Sequence, residues 1–234
     1  MAIPDRSVNS GESDVGAFGK LLRRAGLAGP IEYLFQFIHG LRHPPLLTGG
    51  ATAEERLAHL PGDEIVPDAW WIRTRAHTVD ASPARVWPWL AQLGADRGGW
   101  PGWYPFTQPR DTSADLLLGF TIEPGDTLAE VVGPESTACW HVIAAEAPRY
   151  LVLHSCRTLS TGRDVDRSAA RHWADISWVF VLQPLEGRRT RLLARTRSSV
   201  APRWVGYAAR ILGTGDTVMQ RELLAAIARR AERA

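Results

Sequence analysis

Two cysteines and two histidines in a predicted β-hairpin have the types and spacing of metal ligands. If the hairpin turn centres on residues 147–148, Cys139 lies opposite Cys156 and His141 lies opposite His154. All four side chains then share one face, with the Cβ atoms of each pair about 5 Å apart, and thiolates and imidazoles are typical zinc ligands. Structural zinc sites usually converge through turns, however, and a slip of one residue would scatter this set. We therefore expect half-buried packing and no bound metal here.

Two further residues have side chains that suit proton transfer. His77 shares a strand face with Val79, which we expect to point inward. Its imidazole is then either a structural group of the core or rim, or a cavity group whose near-neutral pKa suits acid–base chemistry. Tyr104 is the second candidate. The sequence contains no nucleophile elbow, Walker loop, dinucleotide fingerprint or HExxH motif, so the catalytic residues stay unassigned.

A row of arginines occupies alternate positions of the last predicted strand. Arg191, Arg195 and Arg197 alternate with an apolar and threonine set that we expect to point inward. We therefore expect the arginines on the outer face as a solvated or ion-paired row, because buried arginine is rare unless it is paired. With the opposite parity, Arg195 would instead hold an anionic group of a ligand, which makes it a third catalytic candidate.

Aromatic side chains are the expected ligand contacts. The loop 98–106 carries four of them among glycines and prolines, and it forms either the mouth of a cavity or a cap on one end of the core. In the strand 172–182, alternation places one apolar set inward. The expected contacts are Trp100, Trp103, Tyr104, Phe106, Ile176, Trp178, Phe180, Trp204, Tyr207 and Met219.

These residues must be positioned by a sheet and its flanking helices. Helical spacing of apolar residues covers 15–41, the capping-box pair Thr52 and Glu55 predicts a short helix ending at Leu60, and Ser82-Pro83 predicts the start of a helix over 83–93. A helix that follows an antiparallel meander must cover one sheet face, so the fold class is α+β. Strands are predicted over 71–79, 127–132, 138–145, 150–158, 172–182 and 189–200, followed by a helix from 202 with a break near 213–215.

Composition and pattern divide the chain and exclude several classes of protein. We expect a disordered tail (1–14), a helical extension (15–69) and a ligand-binding domain (70–234). The 45% hydrophobic and 22% charged residues are ordinary for a globular protein, and the arginines are mostly scattered, which argues against nucleic acid. Two cysteines imply no disulfide framework, and no run reaches the roughly 18 apolar residues of a membrane span. The N-terminus lacks a signal-peptide pattern, so we expect a cytoplasmic protein without a cofactor, with a homodimer left open.

The order of elements and several local sequences resemble the START-like or SRPBCC superfamily, the helix-grip fold. The stretch VDASPARVWPWL at 79–90 looks like that superfamily's first strand running into its first helix. The resemblance covers roughly 48–234 and implies a curved sheet around the last helix, with a cavity between them. It implies no catalytic residues, because the branch has no family-wide catalytic motif. Similarity to a bacterial, largely actinobacterial branch rests on QLG at 92–94, RGG at 97–99, LPGD at 60–63, GD at 125–126, SWVF at 177–180, TRL at 190–192, RTR at 195–197 and the tail 219–232.

The resemblance leaves three functions open, because a shared fold does not choose among them. Superfamily members carry lipids, bind hormones or act as polyketide aromatases and cyclases. We expect binding of an apolar or aromatic small molecule without turnover. The alternatives are a cyclase, aromatase or dehydratase of secondary metabolism that folds its substrate and places acid–base groups, and a partner-binding module with a filled cavity. Two or more convergent titratable groups in the cavity would favour the enzyme.

Overall fold

The computed structural model describes residues 49–102, 113, 115–117, 119–130, 138–159, 161–204 and 214–234. The helices and strands named below are, in chain order, α1 (Ala53–Leu57), β1 (Trp71–Val79), α2 (Pro83–Ala91), β2 (Thr127–Ala129), β3 (Cys139–Glu146), β4 (Tyr150–Thr158), β5 (Trp173–Leu185), β6 (Arg189–Ala201) and α3 (Thr214–Arg233). The helices predicted over 15–41 lie outside the described residues. No described helix is both long and apolar enough to cross a bilayer.

The strands form one curved antiparallel sheet in the order β1-β6-β5-β4-β3-β2, and the fold class is α+β as predicted. The predicted bounds of β1 and β4 are confirmed to the residue. The capping box of α1 is present, since Thr52 Oγ1 accepts from Glu55 N at 3.1 Å and Glu55 Oε2 accepts from Thr52 N at 2.7 Å. The helix stops at Leu57 rather than Leu60, because Ala58 has an extended backbone.

Strand alternation gives the sheet an inner face, covered by α2 and α3, and an outer face. On β5 the inner set includes Trp178, Phe180 and Leu182, which are almost fully buried, as the alternation predicted. They pack against apolar residues of α2 and α3, which form one cluster with the sheet. The helices contribute Val86, Trp89, Leu90, Leu223, Leu224 and Ile227 to it. The C-terminal helix therefore closes the inner face, as expected for a helix after a meander.

Residues 49–69, the end of the predicted helical extension, cover the outer face. Leu60 and Ala51 pack with Leu193 of β6 in a second apolar cluster. Gly62 sits directly on the sheet with a φ of +83°, and a Cβ there would stand 2.6 Å from Val152 Cγ1. Only glycine suits both this backbone conformation and this close approach. At Gly62 the backbone of this segment is therefore in direct contact with the side chains of the sheet.

A buried ion pair anchors this segment. Arg195 of β6 is 3% exposed on the outer face, and its Nη1 donates to Asp63 Oδ2 at 2.6 Å. The other four N–H groups donate to Thr74 Oγ1 and to the carbonyl oxygens of Ala58, Glu55 and Arg56, at 2.7–3.2 Å. All five donors of the guanidinium are thus satisfied, which is the condition for burying such a charge. Arg195 holds residues 55–63 against the sheet.

The two flanking arginines extend the same anchor along β6. Arg191 forms a double hydrogen bond with the Glu55 carboxylate, at 2.7 and 2.8 Å. Arg197 donates to the Val66 carbonyl oxygen at 3.1 and 3.2 Å and lies 3.8 Å from Asp63 Oδ1. The arginine row therefore lies on the outer face and is ion-paired, and its carboxylate partners, Glu55 and Asp63, both come from residues 49–69.

We predict that Arg195→Met lowers the free energy of unfolding by about 3–5 kcal/mol, the usual cost of leaving one partner of a buried ion pair alone. Methionine keeps much of the volume but leaves the Asp63 carboxylate, with 10% of its side chain exposed, without its main partner. Urea denaturation measures the change. The matched control is Arg189→Met on the same strand, where the exposed side chain bonds only to the Glu186 carbonyl and about 0.5 kcal/mol or less is expected. Equal losses in both variants would contradict the anchor.

Candidate functional site

The inner face is divided into an apolar half and a polar half. Phe180, Leu182 and Leu192 belong to the apolar half, beneath α2 and the C-terminal part of α3. Towards the other end of the strands, Trp178 pairs with Leu153 and Thr196 in the register, and Ile176 pairs with Ser155 and Ser198. We define the donor patch as six side chains with hydrogen-bonding groups that lie in or beside this second half, including Gln220 of α3. Its members are Arg75, Trp140, Ser155, Trp178, Thr196 and Gln220.

Three members of the donor patch carry buried polar atoms that lack a partner among the described residues: Trp140 Nε1, Trp178 Nε1 and Ser155 Oγ. Their residues are 5%, 2% and 0% exposed. The two indole rings lie 5.3 Å apart between centroids. His141 pairs with His154 in the antiparallel hairpin, so Ser155 lies opposite Trp140 on the neighbouring strand. The three atoms therefore belong to adjacent side chains on one face. Buried polar groups normally have a partner, so a group of adjacent unsatisfied atoms requires an explanation.

A buried arginine forms the other end of the donor patch. Arg75 of β1 is 1% exposed and points to the inner face, where its Nη1 donates to Gln220 Oε1 at 2.7 Å. The Gln220 amide in turn donates from Nε2 to Thr196 Oγ1 at 2.8 Å. Thr196 is the register neighbour of Trp178, so the hydrogen-bonded side chains of Arg75, Gln220 and Thr196 lie next to Trp178. The arrangement places a positive charge between the sheet and α3.

The predicted ligand contacts on the strands lie at or beside the donor patch. Trp178 and Phe180 are buried, and Ile176 is half-buried against the same cluster. Trp100 is fully buried, stacks on Trp178 at 5.7 Å between ring centroids, and donates from Nε1 to the Ala129 carbonyl oxygen at 2.9 Å. Trp100 is therefore part of the apolar core of the inner face.

The remaining predicted contacts lie elsewhere. Met219 is half-buried on α3, beside Gln220. The side chain of Trp204 is 69% exposed, so it does not pack against the inner face. The other four predicted positions, Trp103, Tyr104, Phe106 and Tyr207, lie outside the described residues. Tyr104 was also a catalytic candidate, and that role is therefore not tested.

The other two catalytic candidates, His77 and Arg195, lie on opposite faces of the sheet. His77 is half-buried on the inner face of β1, at the edge of the sheet next to α3, and pairs with Leu192 in the register. Desolvation lowers the pKa of His77, and Arg191, Arg221 and Arg229 lower it further against the opposing effect of Glu232. Arg195, in contrast, has all five donors engaged on the outer face. The alternative in which Arg195 holds a ligand anion in the cavity is therefore wrong.

The cysteines and histidines of the β3–β4 hairpin lie on the outer face. The predicted pairing of His141 with His154 is confirmed, and nearer the turn a bulge between Val142 and Ala144 shifts the register by one residue. Burial raises the pKa of Cys139 to about 11, with the nearby carboxylate of Asp164 adding to the rise. Burial likewise raises the pKa of Cys156 to about 11. These raised pKa values disfavour the thiolate form that nucleophilic catalysis needs, as long as no metal ion is bound.

Comparison with known proteins gives distant structural likeness only. No protein-family model and no curated protein matches the sequence. A hypothetical protein from Helicobacter pylori has a TM-score of 0.44 at 10% identity, over 75% of this chain and 99% of that one. A conserved protein from Geobacillus kaustophilus has a TM-score of 0.41 at 12% identity, over 70% and 96%. A protein from Arthrobacter aurescens has a TM-score of 0.40 at 19% identity, over 76% and 93%. At these values neither the fold family nor the function of this chain follows from the likeness.

Sequence reasoning missed Arg75 and Gln220 as site residues. Arg75 has the same strand parity as His77 and Val79, and that parity was the available signal that its side chain points inward. The general rule that arginine lies at the surface outweighed it. Gln220 follows Met219, which was selected for its apolar side chain, and nothing in the helical pattern distinguished the amide.

We predict that His77 contributes to loss of stability in acid. Its pKa in the folded protein lies below the ordinary value of 6.5, so as the pH falls through 6.5 the unfolded chain takes up the proton first and the folded state loses stability. His77→Gln removes this term and should make unfolding less sensitive to pH between about 7.5 and 5.5. Denaturant titrations at several pH values measure the slope. The control, His59→Gln, changes an exposed histidine, and an identical change of slope in both variants would contradict the assignment.

Proposed function

We propose that this protein binds a planar, mostly apolar small molecule that carries oxygen acceptors, on the donor patch between the sheet and α3. The observation that carries the proposal is the group of three buried polar atoms on Trp140, Trp178 and Ser155 that have no partner among the residues described. An unmade hydrogen bond of a buried group costs about 1–3 kcal/mol. A bound molecule that supplies the partners recovers this free energy, which gives a specific reason for binding.

The chemistry of the patch selects the polarity of the ligand. An indole N–H only donates, and a guanidinium only donates, so Trp140, Trp178 and Arg75 require acceptors. Carbonyl, phenolate, carboxylate and sulfonate oxygens satisfy this requirement. The aromatic rings provide flat apolar surface beside the donors, which favours a planar ring system over a flexible chain.

Arg75 indicates that one end of the ligand is anionic. Its guanidinium is buried between the sheet and α3, where its Nη1 donates to the Gln220 amide oxygen. A carboxylate or sulfonate placed near Gln220 would form charge-assisted hydrogen bonds, which are roughly twice as strong as neutral ones. The ligand would therefore lie with its anion towards β1 and its apolar rings towards β3.

A binding role agrees better with the described groups than an enzymatic one. Arginine does not transfer protons near neutral pH, and the carboxylate of Glu130 beside Trp140 is paired with Arg157. Among the described residues of the inner face, His77 is the group best suited to acid–base chemistry, and it lies at the sheet edge away from Ser155. The cyclase-type enzyme requires at least two convergent groups, so it ranks second. In this proposal the fold is a helix-grip domain, supported by the meander and by the position of α3, and the cytoplasm is its expected location.

We predict saturable binding of 1-anilinonaphthalene-8-sulfonate, a planar aromatic probe with an anionic group, with weaker binding by Ser155→Ala. Loss of one neutral hydrogen bond corresponds to about a 2- to 10-fold rise in Kd. Dye fluorescence measures the affinity, and near-UV circular dichroism checks that the fold is intact. The matched control is Ser177→Ala, since Ser177 is equally buried and also lacks a described partner for Oγ but lies on the outer face. Equal effects of the two alanines, or no saturable binding by the wild type, would contradict the proposal.

Replacement of Arg75 should separate charge recognition from apolar binding. Arg75→Met is expected to raise the Kd for the sulfonate dye about 10- to 100-fold. The Kd for N-phenyl-1-naphthylamine, which has the same aromatic body without the sulfonate, should change by less than about twofold because the ring contacts remain. A parallel loss for both dyes, with an unchanged melting temperature, would show that Arg75 does not recognise the anion.

A further inference from the structure

A loop residue joins the hairpin cysteine and histidine on the outer face. The loop between β4 and β5 brings Asp164 to Cys139 and His141, the first and third residues of β3. Asp164 Oδ2 lies 2.6 Å from His141 Nε2 and 3.4 Å from Cys139 Sγ, and the Sγ and Nε2 atoms are 3.7 Å apart. Three ligand atoms of three different chemical types thus form one compact triangle.

We propose that Cys139, His141 and Asp164 form a binding site for a divalent metal ion of the zinc type. Thiolate, imidazole and carboxylate are the ligand types that zinc takes in proteins. The set is independent of the donor patch, because its side chains lie on the opposite face of the sheet. Nothing in the proposed ligand-binding function requires the metal, so each proposal stands or fails by itself.

The spacing of the three atoms fits a tetrahedral site. Zinc lies at about 2.3 Å from sulfur and 2.0–2.2 Å from nitrogen and oxygen, which places tetrahedral ligands about 3.4–3.6 Å apart. The two distances from Cys139 Sγ, 3.4 and 3.7 Å, agree with this spacing. The distance between His141 and Asp164, 2.6 Å, is that of a hydrogen bond and has to lengthen by under about 1 Å when a metal ion replaces the shared proton.

The loop is held in place by backbone contacts before any metal is considered. Val165 N donates to the Cys156 carbonyl at 2.9 Å and Thr158 N donates to the Arg163 carbonyl at 2.8 Å, on either side of an isolated bridge between Arg157 and Asp164. These bonds fix Asp164 beside the start of β3. Zinc sites usually include a ligand from a turn or loop. The hairpin alone supplies no such ligand, and the loop supplies Asp164.

The neighbouring cysteine and histidine do not belong to the triangle. His154 Nε2 is engaged by the buried Asp175 carboxylate at 2.6 Å. Cys156 is absent from the group of atoms that lie within 4.8 Å of one another. His141 and Asp164 are 40% and 43% exposed, so the fourth coordination position faces solvent and is available to water. Three protein ligands plus water is the arrangement of an open zinc site.

The test uses Co²⁺ as an optical substitute for zinc on the full-length protein after treatment with a chelator. The proposal predicts one Co²⁺ per chain, with visible bands of tetrahedral cobalt and a near-ultraviolet band from thiolate to cobalt. Cys139→Ser should abolish the thiolate band. Asp164→Asn should weaken Co²⁺ binding roughly tenfold or more, since even loss of a residue that only supports a metal ligand costs about that much.

Two matched variants distinguish the site from non-specific binding. Cys156→Ser changes a thiol on the same sheet face with the same raised pKa, and Asp166→Asn changes another carboxylate of the same loop. Both should retain stoichiometric Co²⁺ and the thiolate band. Absence of the band in the wild type, or equal losses in the ligand variants and their controls, would overturn the proposal. Thermal melting of every variant verifies that it is folded, and the exposure of His141 and Asp164 makes His141→Gln a further ligand variant that preserves the fold.

Discussion

The buried ion pair between Arg195 and Asp63 fixes which segment of the chain covers the outer face of the sheet. A guanidinium at 3% exposure needs acceptors for five N–H groups, and the sheet supplies one of them, Thr74 Oγ1. The others come from residues 55–63, so β6 can bury Arg195 only if that segment lies on the outer face. The sheet is consequently covered on both sides, and different polar groups are buried on its two faces.

Polar groups on the two faces are satisfied to different degrees. On the outer face the arginines are ion-paired, Asp63 Oδ1 lies 3.8 Å from Arg197 without a hydrogen bond, and Ser177 Oγ also lacks a described partner. An isolated buried atom of this kind costs about 1–3 kcal/mol, which a stable domain tolerates. On the inner face the unsatisfied atoms of Trp140, Trp178 and Ser155 are neighbours, and a buried arginine lies on the same face. A cluster of this kind adds these costs at one place, which is why the binding proposal rests on the donor patch rather than on Ser177.

Much of the fold was predictable because it depends on local periodicity. Alternation gave the bounds of β1 and β4, the inward set of β5 and the pairing of His141 with His154, and the capping box marked the start of α1. The packing of residues 49–69 on the outer face was not predictable, because its decisive contacts are single long-range pairs such as Arg195–Asp63. Asp164 was missed for a related reason, since a loop without periodicity carries no signal of which strand it meets. Arg75 was missed because its strand parity predicts an inward side chain, whereas the general rule for charged residues predicts an exposed one.

Alternation also links the two proposed sites through one stretch of backbone. Cys139 and His141 point outward from β3, and Trp140, between them in sequence, points inward to the donor patch. A metal ion bound by both outward side chains would restrict the backbone on either side of Trp140. The orientation of an indole donor is part of what makes a site pre-organised, and pre-organisation lowers the entropy lost on binding. A site on the outer face of this strand is therefore well placed to affect ligand affinity on the inner face, with no contact between ligand and metal.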